Sequence, residues 1–211
     1  IAIGYQALTS DVKGSRSVAV GYSALRDQSH STATDTYSTA VGYQAGASIS
    51  TGVYNNLFGG LAGDALTTGD SNTAIGYATL SSDTKGERAI AIGEGALFTQ
   101  NFTSETSNYN IAIGYNVGTL ITTGIQNTLI GGLAGDALTD ADYNVAIGMQ
   151  ALTADTLGSR STAMGFFALG SQNFTTATDV YNTAVGYSAG SAVTTGIKNT
   201  IIGGLAGDQL A

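Results

Sequence analysis

The sequence predicts an all-β protein, a parallel β-solenoid built from short coils, and three observations support this prediction. Twelve glycines, each after a large apolar residue, recur at regular spacings along the 211 residues. These spacings follow one order of 17, 21, 17 and 17 residues, which groups the coils into super-repeats of 72 residues. Segments such as NTAIGY are short, rich in apolar and β-branched residues, and bounded by Gly, Asn, Ser and Thr, which is typical of strands.

We call the recurring glycines the anchor glycines and count the other positions of each coil from them. The array divides into super-repeats at residues 1–72, 73–144 and 145–211. We expect one continuous β-roll array over residues 1–211, as a fragment of a longer fibre, with coils of 17 or 21 residues. The anchors are Gly4, Gly21, Gly42, Gly59, Gly76, Gly93, Gly114, Gly131, Gly148, Gly165, Gly186 and Gly203.

Each coil has room for two or three short strands. A 17-residue coil extends to about 56 Å at most, and stacked coils place equivalent strands about 4.8 Å apart with parallel pairing. Seven coils carry a second glycine ten residues after the anchor, often in the sequence TTG, and we expect a turn with positive φ there. These glycines are Gly14, Gly52, Gly69, Gly86, Gly124, Gly158 and Gly196.

The residue before each anchor is large and apolar in all twelve coils. Because side chains alternate along a strand, this residue and its predecessor point to opposite sides. We expect the residue before the anchor to fill the coil interior, although the reverse arrangement has the same periodicity. The expected coil core is Ile3, Val20, Val41, Phe58, Ile75, Ile92, Ile113, Ile130, Ile147, Met164, Val185 and Ile202.

The preceding residue is also apolar throughout, usually alanine, and would then form a stripe on the outside. A long apolar stripe indicates an interface, so we expect parallel rods to associate through it. The alternative is a three-sided coil whose corner hides the alanines. The expected inter-chain face is Ala2, Ala19, Ala40, Leu57, Ala74, Ala91, Ala112, Leu129, Ala146, Ala163, Ala184 and Ile201.

The composition excludes several functional classes. The chain has no cysteine, one histidine, 10% charged residues and a net charge of −8. We therefore expect no enzyme activity, no catalytic residues, no cofactor and no metal, and the negative charge argues against nucleic acid as a partner. No apolar stretch approaches the roughly 20 residues of a membrane span, so we expect no membrane insertion by this segment.

The motif GGLAGD resembles a calcium-binding repeat, but its aspartates recur only every fourth coil. Stacking at about 4.8 Å places them about 19 Å apart, too far to share an ion. No GK[ST] sequence follows, which argues against a phosphate loop. We interpret GGLAGDAL as a packing variant. In it, the glycine directly after the anchor compensates for a bulky residue just upstream of the anchor. The aspartates are Asp64, Asp136 and Asp208, and the bulky residues are Leu57, Leu129 and Ile201.

Charged residues also recur at the super-repeat period. Asp11 with Arg16, Asp83 with Arg88, and Asp155 with Arg160 are spaced alike. We expect surface ion pairs across a turn, each worth about 0 to 1 kcal/mol.

The 21-residue coils insert four residues, and we expect these loops to project from one side of the solenoid. His30, Phe102 and Phe174 occupy equivalent places in them. These rings are candidates for stacking on a sugar, and the alternative is that they pack back on the rod. Asn101 and Asn173 begin N-x-T sequences beside them and are further candidate ligand contacts.

The segments AIGYQAL, AVGYSAL, AVGYQAG and AIGYATL resemble the head repeats of trimeric autotransporter adhesins and repeats of bacteriophage tail fibres and related bacterial surface proteins. The resemblance implies a parallel left-handed β-roll, a homotrimer and a role in surface attachment. It also implies an extracellular location, on a virion tail fibre or a cell surface, with a cell-surface glycan or receptor as a further partner.

We therefore predict a structural and adhesive fibre segment, a rigid rod that serves attachment to a host or surface. The alternatives are a self-assembling extracellular filament, a bacterial adhesin head, a carbohydrate-binding module and an ice-binding module. The last rests on an incomplete threonine column at Thr39, Thr73, Thr128, Thr162, Thr183 and Thr200.

Overall fold

The computed structural model describes residues 1–210, which form two compact units, one from Ile1 to Tyr109 and one that begins at Asn110. Each unit is a parallel β-solenoid with one three-residue or two-residue strand beside each anchor glycine. The predicted all-β solenoid of twelve coils is therefore confirmed, with six coils in each unit. Residues 1–210 contain no helix, and so nothing that could span a membrane in helical form.

In the first unit the main strands lie side by side in the order β1, β3, β5, β6, β7 and β9. All pairs are parallel and in register, so that Ala40 lies opposite Leu57 and Leu57 opposite Ala74. Two small sheets, β2 with β4 and β8 with β10, hold the loops of the 21-residue coils. The strands are β1 Ala2–Ile3, β2 Gly14–Ser15, β3 Val18–Val20, β4 Thr34–Asp35, β5 Thr39–Val41, β6 Asn56–Phe58, β7 Thr73–Ile75, β8 Gly86–Glu87, β9 Ile90–Ile92 and β10 Thr106–Ser107.

The second unit repeats this arrangement. Its main strands lie in the order β11, β12, β13, β15, β17 and β18, again parallel, and β14 pairs with β16 at the loop of the 21-residue coil. The strands are β11 Ile111–Ile113, β12 Thr128–Ile130, β13 Val145–Ile147, β14 Gly158–Ser159, β15 Thr162–Met164, β16 Thr178–Asp179, β17 Thr183–Val185 and β18 Thr200–Ile202.

The interior column is the opposite of the predicted one. The small residue two before each anchor is buried, fully so from Ala19 to Ala184, and Ile201 is 7% exposed; Ala2 alone is exposed. The expected inter-chain face is therefore the coil core. The expected coil core points outward and is half-buried or exposed in every coil: Ile3, Val20, Val41, Phe58, Ile75, Ile92, Ile113, Ile130, Ile147, Met164, Val185 and Ile202.

The narrow interior of the coil explains this inversion. The wall opposite the strand already contributes fully buried leucines such as Leu25 and Leu80, so only a small side chain fits between. Leu57 fits because the facing position holds glycine: a Cβ on Gly63 would lie 3.0 Å from Leu57 Cδ2. The compensating glycine of GGLAGDAL is thus Gly63, inside the coil, and not Gly60, so the predicted partner of Leu57 was wrong.

The corners of the coils are made by residues in the left-handed region. Side chains two after the anchor and five before it adopt φ near +60°, for example Gln44 at 54° and Tyr54 at 60°. The second glycines behave differently from the prediction, because none of them has positive φ. Glycine is needed at these positions because neighbouring atoms approach closely. A Cβ on Gly52 would lie 2.6 Å from the carbonyl oxygen of Gly69.

A buried ladder of asparagines, four residues before the anchors, joins successive coils. Asn55 donates from Nδ2 to the carbonyl of Gly69 at 2.9 Å, and its Oδ1 accepts the backbone N–H of Asn72 at 3.0 Å. In the second unit Asn127 repeats both bonds with Ala141 and Asn144. Sequence reasoning missed this ladder, although an asparagine directly before strand segments such as NTAIGY signals it.

Candidate functional surfaces

The outward side of the main strands is a continuous apolar face in each unit. We define the strand face as the positions three before, one before and one after the anchors. Ile75 is 39% exposed and Tyr77, after the anchor, is 59% exposed. The predicted threonine column, which includes Thr73, lies on this same face, half-buried or exposed. Exposed apolar surface of this length is typical of an interface.

Aromatic rings after the anchors stack along the strand face. Tyr5 and Tyr22 have ring centroids 5.2 Å apart, Tyr22 and Tyr43 are 5.5 Å apart, and Phe166 lies 5.3 Å from Tyr187. All of these pairs are close to parallel, with interplanar angles of 25° or less. The stacks order large side chains in advance, which lowers the entropy lost when a partner covers them.

The loop aromatics are buried, which contradicts their predicted contact with a sugar ring. Phe102 is 6% exposed, Phe174 is 8% exposed, and His30 is 8% exposed. The rings pack back on the solenoid, as the alternative interpretation allowed. Asn101 and Asn173 remain exposed, and each side-chain oxygen accepts a threonine hydroxyl, at 3.0 and 3.2 Å.

A buried aspartate explains why the loop is held so closely. Asp83 is fully buried and accepts three hydrogen bonds, from the N–H of Gly86 at 2.9 Å, the N–H of Phe102 at 3.1 Å and Gln100 Nε2 at 2.6 Å. Asp155 makes the same three bonds with Gly158, Phe174 and Gln172. Burial raises the pKa of the Asp83 carboxyl, and its hydrogen bonds from Gln100, Phe102 and Gly86 oppose that rise.

These aspartates do not pair with the arginines as predicted. Arg16 forms its ion pair with Asp35 at 3.2 Å and Arg160 with Asp179 at 2.8 Å, whereas Arg88 contacts Glu87 at 2.6 Å. The spacing in sequence misled because Asp11, Asp83 and Asp155 point into the coil, where backbone N–H groups are available. The arginines lie on the outer corner.

The aspartates of GGLAGD bind the next coil. Asp64 accepts the hydroxyl of Ser81 at 2.6 Å, and Asp136 accepts that of Thr153 at 2.6 Å. Within residues 1–210, no three His, Asp or Glu side chains gather where they could hold a metal ion. The motif therefore joins neighbouring coils through a charge-assisted hydrogen bond.

The arginines and several tyrosines form a second exposed column, five residues before the anchors, which we call the corner column. Arg16 lies 5.2 Å from the ring centroid of Tyr37, and Tyr37 stacks on Tyr54 at 5.8 Å. In the second unit, Arg160 lies 4.6 Å over Tyr143 and 5.9 Å over Tyr181. Guanidinium and aromatic faces suit each other, so neighbouring members of the column contact one another face to face while the rings stay exposed at their edges.

Comparison with known proteins agrees with the resemblance read from the sequence. Residues 1–24 and 29–45 match the YadA head domain repeat, in two copies. Among curated proteins and solved structures, no match to this chain is found. Heads of this kind are trimeric, surface-exposed parts of adhesins. Residues 1–24 and 29–45 are thus similar to the YadA head domain repeat, and the following coils continue the same strand and anchor pattern.

Proposed function

We propose that the chain is a structural and adhesive fibre segment that forms a homotrimer of parallel rods and serves attachment to a host or surface. The observation that carries this proposal is the strand face, where apolar residues repeat beside every anchor without an intervening charge column. Ile75 and Met164, each 39% exposed in the single chain, would be covered by neighbouring chains.

Three further features support a rod that assembles with itself. Equivalent coils present equivalent residues, so a parallel neighbour meets the same side chains at every level. The tyrosine stacks are ordered before association. The charged residues, which give the net charge of −8, lie outside this face with the exception of Glu94. Glu94 replaces the usual aromatic residue after an anchor and is exposed.

We place the fibre outside the cell, on a virion tail fibre or a bacterial surface. The phage and bacterial alternatives share the same repeat and the same trimeric rod. A cell-surface glycan or receptor is the expected partner in both.

Sedimentation equilibrium of the full chain tests the assembly. A trimer has a mass of about 64 kDa, three times the 21.2 kDa of one chain. Val41→Glu combined with Ile92→Glu should give a folded monomer, because the trimer would then bury three like charges at each of the two substituted coils. Val12→Glu, at a 78% exposed apolar residue away from the strand face, is the matched control and should stay trimeric. A monomeric wild-type chain would contradict the proposal.

A further inference from the structure

The corner column of the first unit has a gap at Ser71. Arg16, Tyr37 and Tyr54 follow each other without interruption, and Arg88 leans away toward Tyr109, 5.8 Å from its ring centroid. Between Tyr54 and Arg88 the column holds only the short, exposed side chain of Ser71. We call this gap the Ser71 notch.

The notch has the size of one small ring. Tyr54 and Arg88 belong to coils two apart, which places their backbones about 10 Å from each other at a strand spacing of about 4.8 Å. A ring between them needs about 3.5 to 4.0 Å of contact distance on each side. The Tyr54 ring is stacked on Tyr37 by one face and is 51% exposed, so its other face is open toward the notch.

A carboxylate from the coil after this ring is bonded to the residue that precedes Tyr54. Asp70 precedes Ser71, is half-buried, and accepts the backbone N–H of Val53 through Oδ1 at 2.7 Å. This bond fixes the carboxylate next to the backbone of Tyr54. Within residues 1–210, Asp70 Oδ2 has no hydrogen-bond donor, which leaves an oriented acceptor at the edge of the notch.

We propose that the Ser71 notch binds a single hexopyranose residue of a surface glycan, with the apolar C–H face of the sugar on Tyr54 and a sugar hydroxyl donating to Asp70 Oδ2. The assignment rests on the proposed adhesive function and names its ligand class. A proline ring would also stack on Tyr54, but it has no donor for the carboxylate. A sugar ring offers both the flat apolar face and the adjacent hydroxyl.

The second unit lacks this notch, which makes it an internal comparison. The super-repeat mate of Ser71 is Tyr143, and that of Tyr54 is Gln126. Arg160 covers the face of Tyr143 at 4.6 Å. The corresponding carboxylate, Asp142, still accepts a backbone N–H, that of Ile125 at 2.8 Å, but the residue after Ile125 is Gln126, which offers no aromatic face.

Ser71→Arg closes the notch with little change elsewhere. Ser71 has φ 62°, and Arg16, Arg88 and Arg160 adopt φ of 61° to 66° at the same column position. The new guanidinium would cover Tyr54 as Arg160 covers Tyr143. Gln126→Arg, at φ 57° in the second unit, is the matched control. Tyr54→Ala and Asp70→Asn remove the ring face and the acceptor charge separately.

Saturation-transfer NMR with methyl α-glucopyranoside, methyl α-mannopyranoside and methyl α-galactopyranoside tests the proposal on the full chain. We expect at least one sugar to bind with a Kd of about 1 mM, with saturation strongest on ring C–H protons. Ser71→Arg and Tyr54→Ala should weaken binding about tenfold or more, while Gln126→Arg leaves it unchanged. Asp70→Asn should weaken it less, because the ring face remains.

Two outcomes would overturn the proposed sugar site. One is the absence of saturation transfer to any of the three sugars, and the other is equal transfer in the wild-type protein and in Ser71→Arg. Sedimentation of the same samples separates this from the fibre proposal. If the chain is trimeric and binds no sugar, only the proposed sugar site is refuted. If the chain is monomeric and binds sugar, only the trimeric assembly is refuted.

Discussion

The first two coils of each super-repeat and the last two share the same main strands and corners but differ in their interiors. In the first two coils the residue four after the anchor is leucine, and the residue seven after it is aspartate or glutamine. In the last two coils these positions hold glycine and an aliphatic residue. The polar set is Asp11, Gln28, Asp83, Gln100, Asp155 and Gln172, and the aliphatic set is Ile49, Leu66, Ile121, Leu138, Val193 and Leu210.

The difference shows how one solenoid combines stability with a loop. In the polar coils the aspartate and glutamine bond to each other and to the base of the inserted loop, for example Asp83 with Gln100 and Phe102 N–H. In the apolar coils Leu57 and Leu66 fill the space that Gly63 leaves. The apolar coils supply burial, and the polar coils hold the loop in place.

The largest expected effect is at the apolar interior. Leu57→Ala should lower the free energy of unfolding by about 4 kcal/mol, because Leu57 is fully buried and its loss leaves a cavity beside Gly63. Urea unfolding followed by circular dichroism, at one fixed chain concentration, measures this. Leu120→Ala, at a 48% exposed leucine, is the control and should change it by about 0.5 kcal/mol or less.

Adding leucine at Gly63 tests whether the two interior positions share one volume. Gly63→Leu alone should destabilise by about 3 kcal/mol, since its Cβ would lie 2.9 Å from Leu66 Cδ1. Combined with Leu57→Ala it should recover about half of the loss, because the new side chain enters the vacated space. Strictly additive losses in the same urea experiment would refute the shared volume.

The polar interior is expected to respond next. Asp83→Ala should cost about 2 to 3 kcal/mol and free the loop, because the N–H groups of Gly86 and Phe102 lose their acceptor in a buried place. Hydrogen exchange at Phe102 N–H reports this locally. Unchanged protection of that amide would contradict the role of Asp83.

The charge of Asp83 gives a smaller effect that depends on pH. Its folded pKa lies above its unfolded value because burial dominates, so its contribution to stability is full below the unfolded pKa and is lost as pH rises through the folded pKa. Asp83→Asn removes this dependence on pH. Its stability relative to the wild-type protein should therefore be greatest at neutral pH. The difference in urea midpoint between the two proteins, followed downward in pH, should shrink; a widening difference would contradict the sign.

The smallest effect concerns the corners that both kinds of coil share. Gln126 is exposed and has φ 57°, a conformation that is unfavourable for side chains other than glycine. Gln126→Gly should stabilise by about 0.5 kcal/mol, and Gln126→Val should destabilise by about 1 kcal/mol. Melting temperatures in the opposite order would show that the corner is not strained.

The sequence predicts the coils and their spacing because the anchor glycines are imposed by contact between backbones. A Cβ on Gly59, for example, would collide with the carbonyl oxygen of Gly76, and its φ is 137°. The direction of the two apolar columns could not be predicted, because alternation is symmetric until the far wall of the coil is known. The buried position of Phe102 and the pairing of Arg16 with Asp35 likewise depend on contacts between coils, 17 or more residues apart in sequence.

Thiol reactivity tests directly whether the alanine column is inside and the larger column is a covered outer face. The chain has no cysteine, so Ala74→Cys, Ile75→Cys and Val12→Cys each give one reporter for maleimide labelling. In the assembled protein only the Val12 position should react quickly. Adding Val41→Glu and Ile92→Glu should make the Ile75 position reactive and leave the Ala74 position protected. Fast labelling at the Ile75 position in the assembled protein, or at the Ala74 position in any of them, would contradict the account.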